Sequence, residues 1–569
     1  MAEWLLKNKL TEVTDIEIRG KKIPKVIVQI LQNRGCDSAE AIEKYFAPSL
    51  SDLYDPFLIN DMEKAIERIV RAIHKKEKVL VHGDYDTDGI TGTALVVNNL
   101  KKFGLEVEYY IPHRLTEGYG LSPGGINHAI KRGCSLVITV DCGITATDEV
   151  LHANKNNVDV IICDHHKPKE ILPEGFALLN PKIPGSKYPF KELAGVGVAF
   201  KMLQALYMKL KMPEEDIFED LDLVALGSVV DVVPLIGENR ILVKYGIKRI
   251  TESQKIGFQA MLKQTDLRSG LTSYHLGFII GPRINACGRL RHAKEALELF
   301  LTDDQSTAEK LVRNLSCDNK TRQEIEKKMY QEAQDLIKKQ GIDRNRIIIA
   351  GKEDWHEGVV GIVASRISGD YYRPAIIFSL KKDVAKGSAR SIPDFDITEA
   401  LSFCSNLLTE YGGHSQAAGL SMKIDKFAEL QECINEYAQK FEDSIFERRN
   451  LYDIKLNLDE ITDDVVYFLK YFEPTGMANP QPVFLGECFQ VVGVPRVVGS
   501  DHLKFAVRNK DKVFNAIAFG QAEKILDIEM GKPRIDCLYS ISEDSFFGKR
   551  KVVLKIKEMR KTSGTSDSE

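Results

Sequence analysis

The chain has 569 residues, too many for one compact core; at about 150 residues per domain it divides into three or four. Hydrophobic residues make up 43% and charged ones 28%, and no run of about 18 apolar residues could span a bilayer, so a globular chain with no membrane segment is expected. Lys and Arg number 78 against 82 Asp and Glu, a net charge of −4 that excludes binding a polyanion by bulk charge; any positive field must be local.

The N-terminus, MAEWLLKNKLTEV, lacks the charged and apolar regions of a secretory leader, so a cytoplasmic protein is expected. From Lys78 to about Pro181, nearly continuous apolar runs (VLVHG, EVEYYIP, SLVITVDCG, VDVIICDHH) alternate with helix-like segments such as GITGTALVVNNLKKFG. That alternation predicts a parallel sheet covered by helices on both faces, a doubly wound α/β domain. Helical segments follow, including GVGVAFKMLQALYMKL and DLDLVALGSVVDVVPL, and residues 1–301 are grouped as an N-terminal segment and this first domain. Residues 302–341, rich in Lys, Glu and Gln, read as one long solvated helix joining two bodies. A second, smaller α/β pattern occupies 342–449, and short alternating strands separated by Gly, Pro and Asn fill 450–561, the pattern of a small β-barrel. The tail 562–569 has no apolar content and is expected to be disordered, and no fixed-period repeat occurs. Ten cysteines, scattered from Cys36 to Cys537 with no C-x-x-C pair, predict ten free thiols in a reducing compartment.

Acids and imidazoles cluster at the C-terminal ends of the predicted strands, where open α/β sheets present ligands. The first strand ends in His82-Gly-Asp84-Tyr-Asp86-Thr-Asp88-Gly89. Counted as a calcium loop from Asp84, Gly89 is sixth but the twelfth position is Leu95, not Glu, and the loop follows a strand; the calcium reading is rejected. Another strand ends at Asp141, a further one at Asp164-His165-His166, and Asp231 closes the apolar run ALGSVVD. A single strand-end Asp is commonly a helix cap, but four such segments at one sheet edge suit a pair of divalent cations about 3.5–4 Å apart that activate water toward a phosphate ester. Mixed carboxylate and imidazole ligands favour Mn²⁺ or Mg²⁺ over structural zinc.

These motifs, His82-x-Asp84-x-Asp86-x-Asp88, Val140-Asp141, Asp164-His165-His166 and Asp231, resemble those of the DHH phosphoesterase superfamily. Four more blocks, GPRINACGRL (281–290), WHEGVVGIVASRI (355–367), GSARS (387–391) and YGGHSQAAG (411–419), resemble the RecJ family of single-strand-specific exonucleases within it. One departure is Gly476-Met-Ala-Asn-Pro480, where a second glycine is expected before Asn479. The resemblance implies a 5′→3′ exonuclease that degrades single-stranded DNA to 5′-mononucleotides with two Mn²⁺ or Mg²⁺ ions, acting in repair and recombination beside a helicase and a single-strand-binding protein. An OB-fold suits the barrel, and a monomer suits an enzyme whose chain already contains the cleft, with the oligomeric state left open. By the same resemblance His82 and Asp86 hold one metal and Asp88 and His165 the other. Asp141 bridges, Asp231 completes the set, and Asp84 either ligates or supports a ligand. His166 then faces the scissile phosphate, as electrostatic stabiliser or as proton donor to the departing 3′-oxygen.

A terminal phosphate calls for forked donors, and Arg114, Arg283, Arg289 and Arg390, with Ser388 and Asn285 in the same blocks, are the candidates. Tyr119 is a candidate for stacking on a base and His414, after two glycines, for approaching a phosphodiester, with core packing and a helix cap as their respective alternatives. In the barrel, FFGKRKVVLKIKEMRK (546–561) holds seven Lys or Arg against one Glu, and Phe546, Phe547, Lys549, Arg550 and Lys551 suit strand binding or a solvated hairpin tip equally.

Several patterns are set aside. Gly120-Leu-Ser122-Pro-Gly124 matches a nucleophile elbow, but Pro123 lacks the N–H an oxyanion hole needs. His356-Glu357 has no second zincin histidine, and no Walker A sequence occurs, so no nucleotide cofactor is expected. Gly195-x-Gly197 is better read as close packing than as a dinucleotide fingerprint. Two other functions are weighed: a phosphodiesterase for short or cyclic nucleotides, which would need no barrel, and a non-catalytic strand-binding scaffold, which would have lost ligands.

Overall fold

The computed structural model describes residues 3–8, 15–18, 20–499, 501–528, 533–546 and 549–562, without the side chains of 527 and 544–550. Phe547 and the tail from 563 therefore lie outside the described residues, as do the side chains of Phe546, Lys549 and Arg550. The chain forms two compact units, Leu53–Arg448 and Met1–Asp52 together with Arg449–Glu569. No helix among the described residues is long and apolar enough to cross a membrane.

In the larger unit, strands β1 (Lys78–Gly83), β2 (Glu106–Tyr110), β3 (Leu136–Val140), β4 (Asp159–Cys163) and β5 (Ala177–Leu179) form a fully parallel sheet in the order β2-β1-β3-β4-β5. The central strands β1, β3 and β4 are buried along almost their whole length, which is why their sequences are continuous rather than alternating apolar runs. The short strand β5 was not anticipated, because three residues of FALLN carry too little pattern. Helices α1 (Thr87–Lys102), α2 (Pro123–Arg132) and α3 (Thr147–Lys155) connect the strands. Helix α4 (Gly195–Lys209) and helix α5 (Leu221–Val230) pack on α1. Gly92 makes that approach close: a Cβ there would meet Val140 Cγ1 at 2.4 Å and the Val196 Cα at 3.2 Å.

Helix α6 (Gly281–Leu290) leads through a short helix to α7 (Gln305–Gln340), the long helix expected from the charged stretch. Asp304 caps its start, accepting from the Thr307 N–H at 2.7 Å, and Gly341 at φ 67° ends it. Its buried residues Leu311, Val312 and Leu315 face the first body and Met329, Ala333 and Ile337 the second, so one solvated rod serves both cores. The second sheet contains β6 (Ile348–Glu353), β7 (Ala375–Lys381), β8 (Val384–Arg390), β9 (Glu410–His414) and β10 (Ala417–Lys423), in the order β9-β10-β8-β7-β6. Its two faces have separate cores. Ile348, Ala350 and Ile377 pack against helix α8 (Val360–Tyr371) and α7, whereas Ile349, Ile376 and Phe378 pack toward helix α9 (Phe427–Ala438), which explains the unbroken run RIIIAG.

Ten free thiols were expected, and the structure corrects this: Cys404 and Cys433 are bonded, with Cα atoms 6.2 Å apart, while the other eight cysteines are free. The helices Ile397–Phe403 and α9 pack together, a proximity that a sequence separation of 29 hides.

In the smaller unit, β11 (Phe484–Val498), β12 (His502–Asn509), β13 (Lys512–Ala518), β14 (Arg534–Phe546) and β15 (Lys549–Lys561) close into a barrel through β11–β12–β13–β15–β14 and back to β11. Residues before Asp52 belong to this unit rather than to the first α/β body with which they were grouped: Ile27, Ile30 and Leu31 of helix Lys25–Gln32 share a core with Phe468, Phe484 and Phe489. Asn479 pins the loop that departs from the family pattern, donating to the Phe472 and Pro474 carbonyls at 2.9 and 2.8 Å. Ala478, where glycine was expected, sits at φ 57°, a left-handed backbone that costs a residue with a Cβ about 1 kcal/mol. Ala478→Gly should therefore stabilise this unit by about 1 kcal/mol, read as a higher urea midpoint with an unchanged slope.

Candidate metal centre

The side chains expected at one sheet edge do converge. Asp84, Asp86 and Asp88 leave the end of β1 as the chain turns into α1, where Asp86 accepts from the Asp88 and Gly89 N–H groups at 2.9 and 3.2 Å. Asp86 is thus both the helix cap of the conservative reading and a member of the cluster. Asp141 follows β3 with φ 61°, a left-handed conformation that aspartate tolerates better than most residues. The Asp164-His165-His166 segment follows β4, while Asp231 caps the C-terminus of α5 rather than ending a strand.

Ligand atoms fall into three overlapping groups, each within 4.8 Å: Asp84 with Asp86 and Asp141; Asp88 with His165 and Asp231; and Asp141 with His165 and His166. His165 Nε2 lies 3.2 Å from Asp141, 3.5 Å from Asp231 and 3.9 Å from Asp88. His165 Nε2, Asp84 Oδ1 and Asp141 Oδ1 are buried and make no hydrogen bond among the described residues, an arrangement that costs free energy unless a cation fills the space between them. The donor set therefore fits divalent cations with oxygen and imidazole ligands.

His82 is not in any of these groups. Its ring is fully buried and packs on Tyr110 and Gly125, with Nε2 3.4 Å from the Ser122 N–H, and burial pushes its basicity down to about 4. Asp84 occupies the place in the Asp86–Asp141 group that the sequence reading reserved for His82, because β1 ends at Gly83 and the turn into α1 takes Asp84 out of the strand.

Electrostatics follow from this crowding. Burial first, and then the neighbouring carboxylates, hold Asp84, Asp141 and Asp231 well above the ordinary carboxylate range. Asp88 is pushed up to about 7 by burial and the Asp86 charge, although the N–H groups of Gly195 and Val196, at 2.7 and 2.8 Å, favour its anion. Those two N–H groups open α4, and a Cβ on Gly195 would come within 2.5 Å of the Asp141 Cβ, so the glycine is there for close packing. Burial pushes His165 down to about 3. His166 is raised: burial opposes its charge, but the bond to Asp164 at 2.8 Å outweighs it. Asp164, which the sequence reading placed in the motif but not in the site, also accepts from the Ile144, His165 and His166 N–H groups and so fixes the orientation of the whole turn.

Beside the cluster, a cleft of about 640 Å³ between the two α/β bodies is lined by Arg114, Tyr119, Arg289, Ser388 and Arg390 among others. Arg289 is pushed down to about 9, by burial first and then by Arg114 and Arg390, as expected where guanidinium groups gather. His414 does not line the cleft but meets the cluster from the second body, its ring nearly parallel to that of His166 with centroids 6.1 Å apart. Two predicted contacts are placed elsewhere. Arg283 donates to the Ile279 carbonyl of the preceding turn at 2.5 Å and does not line the cleft, and Asn285 accepts from the Thr87 N–H and hydroxyl at 2.9 and 2.8 Å, holding the acidic loop.

The fold and the cluster together define a DHH phosphoesterase. Residues 78–228 match the DHH family N-terminal domain, 344–440 the DHHA1 domain and 452–558 the RecJ OB domain. The chain belongs to the RecJ family. The single-stranded-DNA-specific exonuclease RecJ of Bacillus subtilis (strain 168) is 37% identical over 541 residues, covering 94% of this chain and 68% of the relative. The RecJ of Escherichia coli (strain K12) is 34% identical over 577 residues, covering 97% and 98%. The crystal structure of RecJ in complex with Mn²⁺ from Thermus thermophilus matches with a TM-score of 0.82 at 31% identity, over 95% of this chain and 76% of that one. The Mg²⁺ complex of RecJ from the same organism matches with a TM-score of 0.75 at 28% identity, over 95% and 75%.

Carboxyls raised in the folded state stabilise it while protonated, and that contribution is lost as pH rises through their folded values. The metal-free protein should therefore lose thermal stability between about pH 5 and pH 8, and Mn²⁺ should restore it. Asp141→Asn should raise the metal-free melting temperature by a few degrees at about pH 8 and flatten the pH dependence, as followed by calorimetry.

Proposed function

We propose that this chain is a 5′→3′ exonuclease that hydrolyses single-stranded DNA to 5′-mononucleotides with two Mn²⁺ or Mg²⁺ ions. The observation that carries the reading is the convergence of five aspartates and His165, three of them with buried ligand atoms that make no hydrogen bond among the described residues, in a chain of the RecJ family. Asp84, Asp86 and Asp141 would hold one ion and Asp88, His165 and Asp231 the other, and Asp141 also lies 3.2 Å from His165. When bound, the ions supply a lowered pKa for water and charge neutralisation at the phosphate.

The chain's own residues do the rest. Asp86 is preorganised by its cap bonds and Asp88 by the two N–H groups at the start of α4, so neither has to be oriented when substrate arrives. Asp164 holds His166 against the cluster, where it stabilises charge on the phosphate or protonates the departing 3′-oxygen. Arg114, Arg289, Arg390 and Ser388 receive the terminal 5′-phosphate, since forked guanidinium groups match its oxygens. His414 lines the path of the strand beside them. In this reading the body around the parallel sheet, residues 53–301, does the chemistry, the helix at 302–341 sets the cleft, 342–449 recognises the end and the barrel at 450–561 adds a strand-binding surface. The protein then works as a monomer in the cytoplasm, in repair and recombination, on strands prepared by a helicase and covered by a single-strand-binding protein.

A 5′-labelled oligonucleotide in Mn²⁺ should release its label as mononucleotide from the first turnover, with duplex DNA resisting attack. Label that persists while the 3′ end shortens would reverse the polarity, and cleavage restricted to dinucleotides would favour a short-nucleotide phosphodiesterase. Asp86→Ala and Asp141→Ala should each lower turnover by about 1,000-fold or more with the circular dichroism spectrum retained. Arg390→Ala should raise KM for a 5′-phosphorylated strand by about 10- to 100-fold and change kcat much less, measured against the same strand with a 5′-hydroxyl.

A further inference from the structure

Tyr119 entered as a residue for stacking on a base, and it is indeed 52% exposed. Its hydroxyl, however, points inward. It donates to the Asp141 carbonyl at 3.0 Å and lies 2.9 Å from His166 Nδ1 and 3.2 Å from Nε2, with the two rings edge to face at 5.3 Å. With its proton committed to the carbonyl, the phenol oxygen is left as an acceptor toward His166, whose Nδ1 also meets Asp164 Oδ1 at 2.8 Å, so the two acceptors hold that side of the ring together. The carbonyl it serves belongs to the residue with φ 61°, so one hydroxyl ties a left-handed turn of the metal cluster to the imidazole beside it.

The loop that carries Tyr119 is tethered by hydrogen bonds and reaches the cleft. Glu117 fastens it at both ends, accepting from the His113 N–H at 2.8 Å, the Tyr110 hydroxyl at 2.8 Å and the Ser122 hydroxyl at 3.0 Å. Gly118 and Gly120, at φ 82° and 103°, allow the chain to turn on either side of the tyrosine. Arg114, on the same loop, lies over the Tyr85 ring at 4.7 Å, and Tyr85 meets Tyr119 edge to face at 6.5 Å. All three line the cleft assigned to the strand end. A phosphate drawn to Arg114 therefore bears on the loop whose tip holds His166.

We propose that Tyr119 is a positioning residue, whose hydroxyl orients His166 and links occupancy of the end-binding pocket to the rate of cleavage. This rests on the exonuclease reading above and adds to it that the pocket not only binds the 5′-phosphate but sets the imidazole in place when the phosphate is there. A stacking role needs only the ring, whereas this role needs the oxygen, so Tyr119→Phe and Tyr119→Ala separate them.

The test is single-turnover cleavage of one oligonucleotide with a 5′-phosphate or a 5′-hydroxyl, with saturation curves for wild type and both variants. Wild type should cleave the phosphorylated strand faster. Tyr119→Phe should cut that rate about 10-fold, the worth of one well-placed hydrogen bond, with half-saturation unchanged to within about twofold. The ratio of the two rates should fall toward unity, and Mn²⁺ affinity, read by electron paramagnetic resonance, should stay within about twofold of wild type. A phenylalanine variant as fast as wild type beside a slow alanine variant would make Tyr119 a stacking residue and overturn the proposal. So would an effect confined to half-saturation, or a large loss of Mn²⁺ affinity. If wild type does not distinguish the two ends, the end-binding pocket itself is misassigned; if it does and Tyr119→Phe keeps the full ratio, only the link fails.

Discussion

The structure is organised around an unfavourable interaction: aspartates from two strand ends and one helix end are desolvated within a few ångströms of one another. Like charges at such separations repel by several kcal/mol once water is excluded, and each buried carboxylate adds its own desolvation cost. Asp84 and Asp141 keep oxygens that make no hydrogen bond among the described residues, so the fold does not resolve this conflict by itself. Protonation relieves it at low pH and divalent cations relieve it at neutral pH. The parallel sheet, the cap of α1 and the N–H pair of α4 can be understood as the rigid support needed to hold such a cluster together.

That support is built from small residues placed where backbone must come near. Gly195 leaves room for Asp141, Gly92 lets α1 settle on the sheet, and Gly125 leaves room for the His82 ring, which keeps that imidazole among the core residues. The second α/β body contributes His414 and the Ser388–Arg390 strand, which join Arg114, Arg289 and His166 of the first body around the carboxylates. A chain with a net charge of −4 thereby presents a local cationic pocket next to an anionic cluster, a polarity suited to a ligand that carries negative charge and meets metal. Tyr119 lies between the two, bonded to one and lining the other.

Much of this was legible without coordinates. Continuous apolar runs in VLVHG, SLVITV and VDVIIC marked strands covered on both faces, because alternation disappears when neither face meets water. Acidic residues at their ends implied a common edge, because parallel strands deliver their C-termini to the same side. Residues 302–341 read as a long helix through their Lys, Glu and Gln content, and Gln305–Gln340 form one. The residue types of the cluster, and hence the kind of ion that suits it, were fixed at the same level.

Which atoms meet was decided only in three dimensions. His82 and Asp84 stand two apart in one motif, yet the turn from β1 into α1 carries Asp84 to the cluster and leaves His82 packed on Gly125. Arg283 and Arg289 share one helix, and only Arg289 reaches the cleft, because a helix turns residues at that spacing to different faces. The bond between Cys404 and Cys433, the union of the first 52 residues with the barrel and the bonds of the Tyr119 hydroxyl all join positions remote in the chain. Local sequence sets periodicity, capping and charge because those depend on neighbours a few residues away. Contacts between distant segments depend on how whole elements pack, and that is a property of the folded chain.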